Sequence, residues 1–413
     1  MNRPALIALL LASVPCGAAE LDVAPPVELP PTQLVQSWLR QDPSVQESQA
    51  GLEAAQHAAG MLRASPYEFA TRVTSQKRRY DVGKDSNEWS AQLERPFRLP
   101  GKAATDRSLG ETEIALAQAQ FGEALHEAAK DLVDLWMDWQ AASHTRALLE
   151  EQVRFSEESL RVVASRKRAG DASMLDANVV DADASEIRAQ LSLAQTTETK
   201  AAAKLHVRFP GTEGAAWALA EPGIVEQPKE VWARRILASS DELKLAELHF
   251  EKSQLAADRA RADRLPDPTL GVYTASEVYG NEKIVGVSVS FPFPGHYRSE
   301  RLGQALSQAD MAKAALDKQR RELESTIDEA FSDAVGSYER WKLSESSAAR
   351  TKDNASLTQR AYALGEADLQ TLILARRQAI SAAETALNAR VTALRAYYTL
   401  LVDAHLIWGL EHD

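Results

Sequence analysis

The chain is 413 residues long, 26% charged but only 6% aromatic, with a formal net charge of −12. That acidity argues against nucleic acid as a partner, and a single cysteine, Cys16, excludes a disulfide framework within one chain. Abundant Ala, Glu, Gln, Arg and Leu with few aromatics point to long helices and coiled coil rather than a thick globular core.

Met1-Asn2-Arg3 is a short basic start, followed by an apolar run at 5–14 and the small residues Gly17-Ala18-Ala19. The run falls short of the roughly 20 residues that span a bilayer. Residues 1–19 therefore read as a signal peptide, which leaves a mature chain from Glu20 without cysteine. Ser13-Val14-Pro15-Cys16 is a poor box for lipid attachment. No later stretch approaches about 20 apolar residues, although strands of a β-barrel carry a much weaker signal. Residues 20–31, with Pro25, Pro26, Pro30 and Pro31, read as an extended arm.

Residues 32–211 and 231–413 then follow one plan, joined by a Gly- and Pro-containing linker at 212–230. Leu39 matches Leu237, Pro66 matches Pro266, Pro96-Phe97 matches Pro292-Phe293 and Gly170 matches Gly365, at offsets of 198, 200, 196 and 195. A repeat this long is half of a pseudo-symmetric molecule. Each half opens with a helix, expected over 44–63 and 232–264, that stops at Pro66 or Pro266. A β-hairpin follows, at about 67–97 and 268–293. In the second hairpin Val285, Val287, Val289 and Phe291 alternate with Gly286, Ser288 and Ser290. In the first, Trp89, Ala91 and Leu93 alternate with Glu88, Ser90, Gln92 and Glu94. Strands of about ten residues with this alternation suit lipid on one face and water on the other. Leu99-Pro100-Gly101 and Phe293-Pro294-Gly295 end the hairpins.

Long helices are expected next, over 102–168 and 297–363, each roughly 100 Å at 1.5 Å per residue. In the first, Ala117, Phe121, Leu125, Ala128, Leu132, Leu135, Trp139 and Ala142 recur at 3,4 spacing, with only Arg146 and Ser156 breaking the continued stripe. In the second, Leu302, Ala309, Leu316, Leu323 and Ala330 lie seven apart. The helices turn at 169–173 and 364–368, where a glycine closes one helix and an acid starts the next. Return helices are expected over 174–207 and 369–408.

The chain carries no His-Glu-x-x-His, no phosphate loop and no Gly-x-Gly-x-x-Gly. Its eight histidines (57, 126, 144, 206, 249, 296, 405 and 412) are scattered, and none pairs with another at ligand spacing. No catalytic, cofactor or metal residue is assigned. Acids gather near the turns: Asp171, Asp176, Asp181 and Asp183 by the first, Glu366 and Asp368 by the second. They read either as ordinary helix-start acids or, for Asp176, Asp181, Asp183 and Asp368, as an acidic channel mouth favouring cations.

Together, the exported start, duplicated halves, paired hairpins and Gly-acid turns resemble the TolC-like outer-membrane factor family, over nearly the whole mature chain. The most telling residues are Met174-Leu175-Asp176-Ala177 and Leu369-Gln370-Thr371-Leu372 after the turns, with Pro266-Asp267-Pro268 and Phe291-Pro292-Phe293-Pro294-Gly295 around the second hairpin. Leu93-Glu94-Arg95-Pro96, Leu99-Pro100-Gly101-Lys102 and Trp136-Met137-Asp138-Trp139 look most like the CzcC-type, heavy-metal branch. The resemblance implies a mainly α fold with a small β part, assembled as a trimeric duct. Three chains of four strands each would close a 12-stranded outer-membrane barrel, continued by an α-helical coiled-coil barrel through the periplasm. A two-strand hairpin cannot span lipid with open edges, so oligomerisation also follows from physics.

The resemblance further implies a homotrimer that works without catalysis or cofactor. It would act with a periplasmic adaptor (membrane fusion protein) and an inner-membrane RND-type pump, docking through Gly170, Asp171, Gly365 and Glu366. Metal cations are the favoured cargo; organic drugs, solvents or type I secretion substrates are the alternatives. One departure stands out. In the family's archetype, aspartates six and nine residues after the second-turn glycine help form the closed gate, and here Thr371 and Leu374 occupy those places. The first turn keeps Asp176 at plus six. From another class, a periplasmic adaptor would need β-rich segments flanking one helical hairpin, and a structural coiled-coil protein would be soluble and extended.

Overall fold

A computed structural model describes residues 26, 29–212 and 219–410. The expected signal peptide, and the arm apart from 26 and 29–31, lie outside the described residues. The first half contains α1 (Thr32–Leu39), α2 (Pro43–Ala64), β1 (Ala70–Arg78), β2 (Ser86–Pro96), α3 (Pro100–Arg168) and α4 (Met174–Arg208). The second half repeats the series as α5 (Lys229–Ser239), α6 (Asp241–Ala262), β3 (Thr269–Glu277), β4 (Glu282–Ser290), α7 (His296–Leu364) and α8 (Leu369–Asp403).

Two helical expectations change. The helix expected over 232–264 is two helices, because Ser240 leaves helical geometry (ψ 112°) and caps α6 by accepting from the Leu243 amide at 3.1 Å. The same break separates α1 from α2, where Asp42 accepts from the Ser44 amide at 2.9 Å and Pro43 takes the first helical position. The return helix expected to reach 408 stops at Asp403. His405 (φ 53°) and Trp408 (φ 62°) then turn the chain back, which buries Ile407, Trp408 and Leu410 in the core.

Both α3 and α7 are 69 residues long, and α4 and α8 are 35. The short helices share out the length of the long ones: α2 and α4 pack on α3, α6 and α8 on α7. The halves meet where α6 and α8 also pack on α3. The main core lies around this junction and includes Trp38, Leu132, Val133, Trp136, Phe209, Trp232, Leu394 and Leu401. Of the two residues that break the apolar stripe of α3, Arg146 pairs with Glu150 at 2.6 Å and with Glu198 on α4. Ser156 is buried and donates to the Val153 carbonyl at 2.9 Å.

The four strands form one antiparallel sheet in the order β1-β2-β3-β4. Register places Thr71, Leu93, Val272 and Val287 in one row and Val73, Ala91, Thr274 and Val285 in the next. These rows make one face apolar, yet none of the described residues covers it: Val285 and Val287 are 84% and 80% exposed. The opposite face is polar and ion-paired, with Arg78 between Glu88 at 3.1 Å and Glu277 at 3.0 Å. Strands β1 and β4 leave open edges.

Candidate functional site

Three regions of the molecule depart from ordinary helix packing: the sheet, the neck beneath it, and the far turns. At the neck, α3 starts with a lysine whose ammonium is almost fully enclosed. Lys102 is 2% exposed and lies 3.2 Å from Asp263 and 3.0 Å from Asp267. Arg98 and Arg259 reach Asp106 at 2.8 and 2.6 Å, and Arg259 also pairs with Asp263. Three cations thus meet three carboxylates, drawn from both halves. A buried charge is tolerable only when paired in this way. Burial alone would raise the Asp263 and Asp267 carboxyls. Arg259 and Lys102 around Asp263, with Tyr67 and Lys102 around Asp267, outweigh that and hold both below the ordinary 3.8. The Tyr67 hydroxyl donates to Asp267 at 2.6 Å. That bond, with burial, pushes the phenol up to about 12. The prolines around Asp267 signal a helix stop in the sequence, but the links between the halves, from Lys102 to Asp263 and Asp267 and from Arg259 to Asp106, join residues more than 150 positions apart and leave no local pattern.

At the far end both turns close identically. Gly170 (φ 81°) donates to the Lys167 carbonyl at 3.0 Å and Asp171 to Arg166 at 2.8 Å. Gly365 (φ 78°) donates to Tyr362 at 3.1 Å and Glu366 to Ala361 at 2.9 Å. This is the pairing of a left-handed C-cap. A Cβ at either glycine would meet nothing within 4 Å, so the requirement is the backbone angle and not space.

The acids near the turns divide by partner. Asp176 accepts from the Ser173 amide at 2.9 Å in a capping box, and Asp368 caps α8 through the Thr371 amide at 2.7 Å. These backbone bonds hold both carboxyls below their ordinary value. Asp171 pairs with Arg166 at 2.9 Å. Asp183 pairs with Arg377 of α8 at 2.8 Å, and Arg377 also reaches Glu186 at 2.9 Å. Asp181 and Glu366 are exposed. Within one chain, then, Asp176 and Asp368 spend their charge on helix starts and Asp183 on a cross-half ion pair.

The sequence reading missed the arginines that bind the two turns together. Arg376 donates to Ser159 at 2.8 Å and lies 4.8 Å from the Phe155 ring centre. Arg166 lies 5.4 Å from the Tyr362 ring centre. Beneath them Val163, Val180 and Leu369 form a small core of their own. The double arginine at 376–377 was the one local signal, and its partners lie about two hundred positions away.

No family model matches the chain. It is similar to the nickel-cobalt-cadmium resistance protein NccC of Alcaligenes xylosoxydans xylosoxydans, 24% identical over 322 residues that cover 76% of this chain and 71% of that one. Its structure is similar to the outer membrane protein VceC of Vibrio cholerae, with a TM-score of 0.73 at 15% identity over 90% of this chain and 95% of that one. It is also similar to the CmeC outer membrane channel of Campylobacter jejuni, with a TM-score of 0.71 at 14% identity over 92% and 85%.

Proposed function

The chain has the fold of the TolC-like outer-membrane channels, and from that premise we propose that it is the passive exit duct of a tripartite efflux system. The observation that carries this reading is the sheet: an exposed apolar face, a polar ion-paired face and two open edges, mounted on helices 69 residues long. Its strands of 9 to 11 residues match a tilted crossing of the hydrocarbon layer. Open edges are not tolerated in lipid. Three copies remove them by closing a 12-stranded barrel, with the ion-paired face toward water. The helices, roughly 100 Å long, then line a tunnel across the periplasm. The Gly170-Asp171 and Gly365-Glu366 turns meet the periplasmic adaptor of an inner-membrane RND-type pump, which supplies all the energy. The chain itself does no chemistry. Likeness to a nickel-cobalt-cadmium resistance protein favours metal cations as cargo.

Cell fractionation and extraction test the duct. The protein should sediment with the outer membrane, need detergent for release and run as three chains. A protein that dissolves without detergent and is not trimeric would overturn the duct in favour of a structural coiled coil. Cargo is tested separately, by deletion in a strain with no redundant duct. Sensitivity to nickel, cobalt and cadmium should rise; unchanged metal tolerance with increased drug sensitivity would reassign the cargo.

A further inference from the structure

Comparing histidines only with one another overlooks a different spacing on α3. Glu123, His126 and Glu127 stand at i, i+3 and i+4, which places them on one helix face. One ring nitrogen of His126 and one carboxylate oxygen of each glutamate lie within 4.8 Å of one another. An ion about 2.1 Å from each donor needs donors roughly 3.4 Å apart, a closure within reach of small glutamate rotations. Glu127 is 58% exposed, so the group opens to solvent.

The surroundings fit a cation. His126 Nε2 lies 3.1 Å from Asp403 Oδ1, the kind of carboxylate contact that orients a ligating imidazole. His405 approaches from the end of the second half, its ring centre 5.5 Å from that of His126. Asp241 of α6 presses so closely on α3 that a Cβ at Gly122, next to Glu123, would clash with it. Lys130 reaches two of these carboxylates, 3.5 Å from Asp403 and 3.9 Å from Glu127, and Arg235 donates to the Ala404 carbonyl beside them at 3.0 Å. The group lies where α6 and α8 both pack on α3.

We propose that Glu123, His126 and Glu127 bind one divalent cation of the zinc, cobalt or nickel class, with Asp403 as the positioning residue behind the imidazole. An imidazole with two carboxylates suits these borderline ions, whereas magnesium and calcium prefer oxygen alone. Three protein donors leave positions open for water, so the ion exchanges with solvent. It sits roughly 35 Å along α3 from the hairpin end and bridges the two halves through Asp403. The site stands on this geometry whatever the cargo of the duct.

The test is Co²⁺ titration of the chelator-stripped, detergent-purified protein, followed by visible absorption and by equilibrium dialysis. One ion per chain is expected, with an absorption change reporting nitrogen ligation. His126→Gln and Glu123→Gln should each weaken Co²⁺ at least tenfold, and Asp403→Asn about tenfold. His249→Gln, at an exposed histidine on α6, should leave binding unchanged. If His126→Gln does not fold, Glu127→Gln at the exposed glutamate reads the same loss. No saturable binding would overturn the proposal. So would binding that survives both His126→Gln and Glu127→Gln, or binding that falls equally in His249→Gln. Metal tolerance of a deletion strain concerns the cargo and does not bear on this result.

Discussion

The helices α3 and α7 have the same length, the same turn at their far end and opposite surroundings. Neighbours α2, α4, α6 and α8 all pack on α3, which buries Leu132, Val133, Trp136 and Met137. By contrast α7 packs on α5, α6 and α8, and it leaves Met311 and Leu343 each 72% exposed. Because the halves are duplicates, the flank of α3 that meets α6 and α8 has a counterpart on α7. In the proposed trimer that counterpart takes α2 and α4 of the next chain. The lesson is that one copy of a repeat can display, in its interior, the joint that the other copy makes only on assembly.

Mutations sharpen this contrast, and the largest effects belong to α3. Replacing Lys102 with Ala should take the paired cation from Asp267, leave Asp263 to Arg259, and cost about 3–5 kcal/mol. The equivalent residue on α7, Arg298, is half-buried and donates to the Asp263 carbonyl, so Arg298→Ala should cost far less. Chemical denaturation of both variants makes the comparison, and equal losses would break it. Leu132→Ala should cost about 2–5 kcal/mol. Leu343→Asp should leave the chain folded by circular dichroism yet abolish the trimer in analytical ultracentrifugation; a Leu343→Asp trimer would place the joint elsewhere.

The neck also sets an acid limit. Asp263 and Asp267 titrate below their ordinary 3.8 in the folded chain. Their stabilisation is therefore complete above that value and disappears as pH falls beneath it. Melting temperature should drop across this window in the native protein and flatten in Lys102→Ala.

Smaller effects lie at the turns. Gly170→Ala and Gly365→Ala should each cost about 1–2 kcal/mol from the left-handed backbone alone. Arg377→Ala should cost at most about 1 kcal/mol, since its side chain is 53% exposed. Its signature is local: faster hydrogen exchange at the start of α8, with the neck unchanged.

The mainly helical fold with a small sheet was legible because its signals are local. Val285, Val287 and Val289 alternate within one strand, and a glycine followed by an acid closes a helix using neighbouring residues. The break at Ser240 was missed although Ser-Asp-Glu is a helix-start pattern, because the apolar residues on either side continued the helical period. The neck and the clasp at Arg376 and Arg377 were not legible, since charge pairing between distant segments leaves no periodicity. The Glu123, His126 and Glu127 group was in plain view, hidden only by asking for a second histidine.

The pairing of β2 with β3 joins Trp89 to Ser276. Between them lie both arms of the first helical hairpin and the start of the second half. Such contact order is high, and loop closure of that size makes the pairing slow. Each local hairpin can form early; the central ladder cannot form until α3 and α4 have come together and brought β3 back beside β2. The valines of β4 are exposed even in the finished sheet, so this delay prolongs a state that is prone to aggregation. In the proposed duct the last step of folding and the act of entering the membrane would be one event, and the kinetics of the first would set the yield of the second.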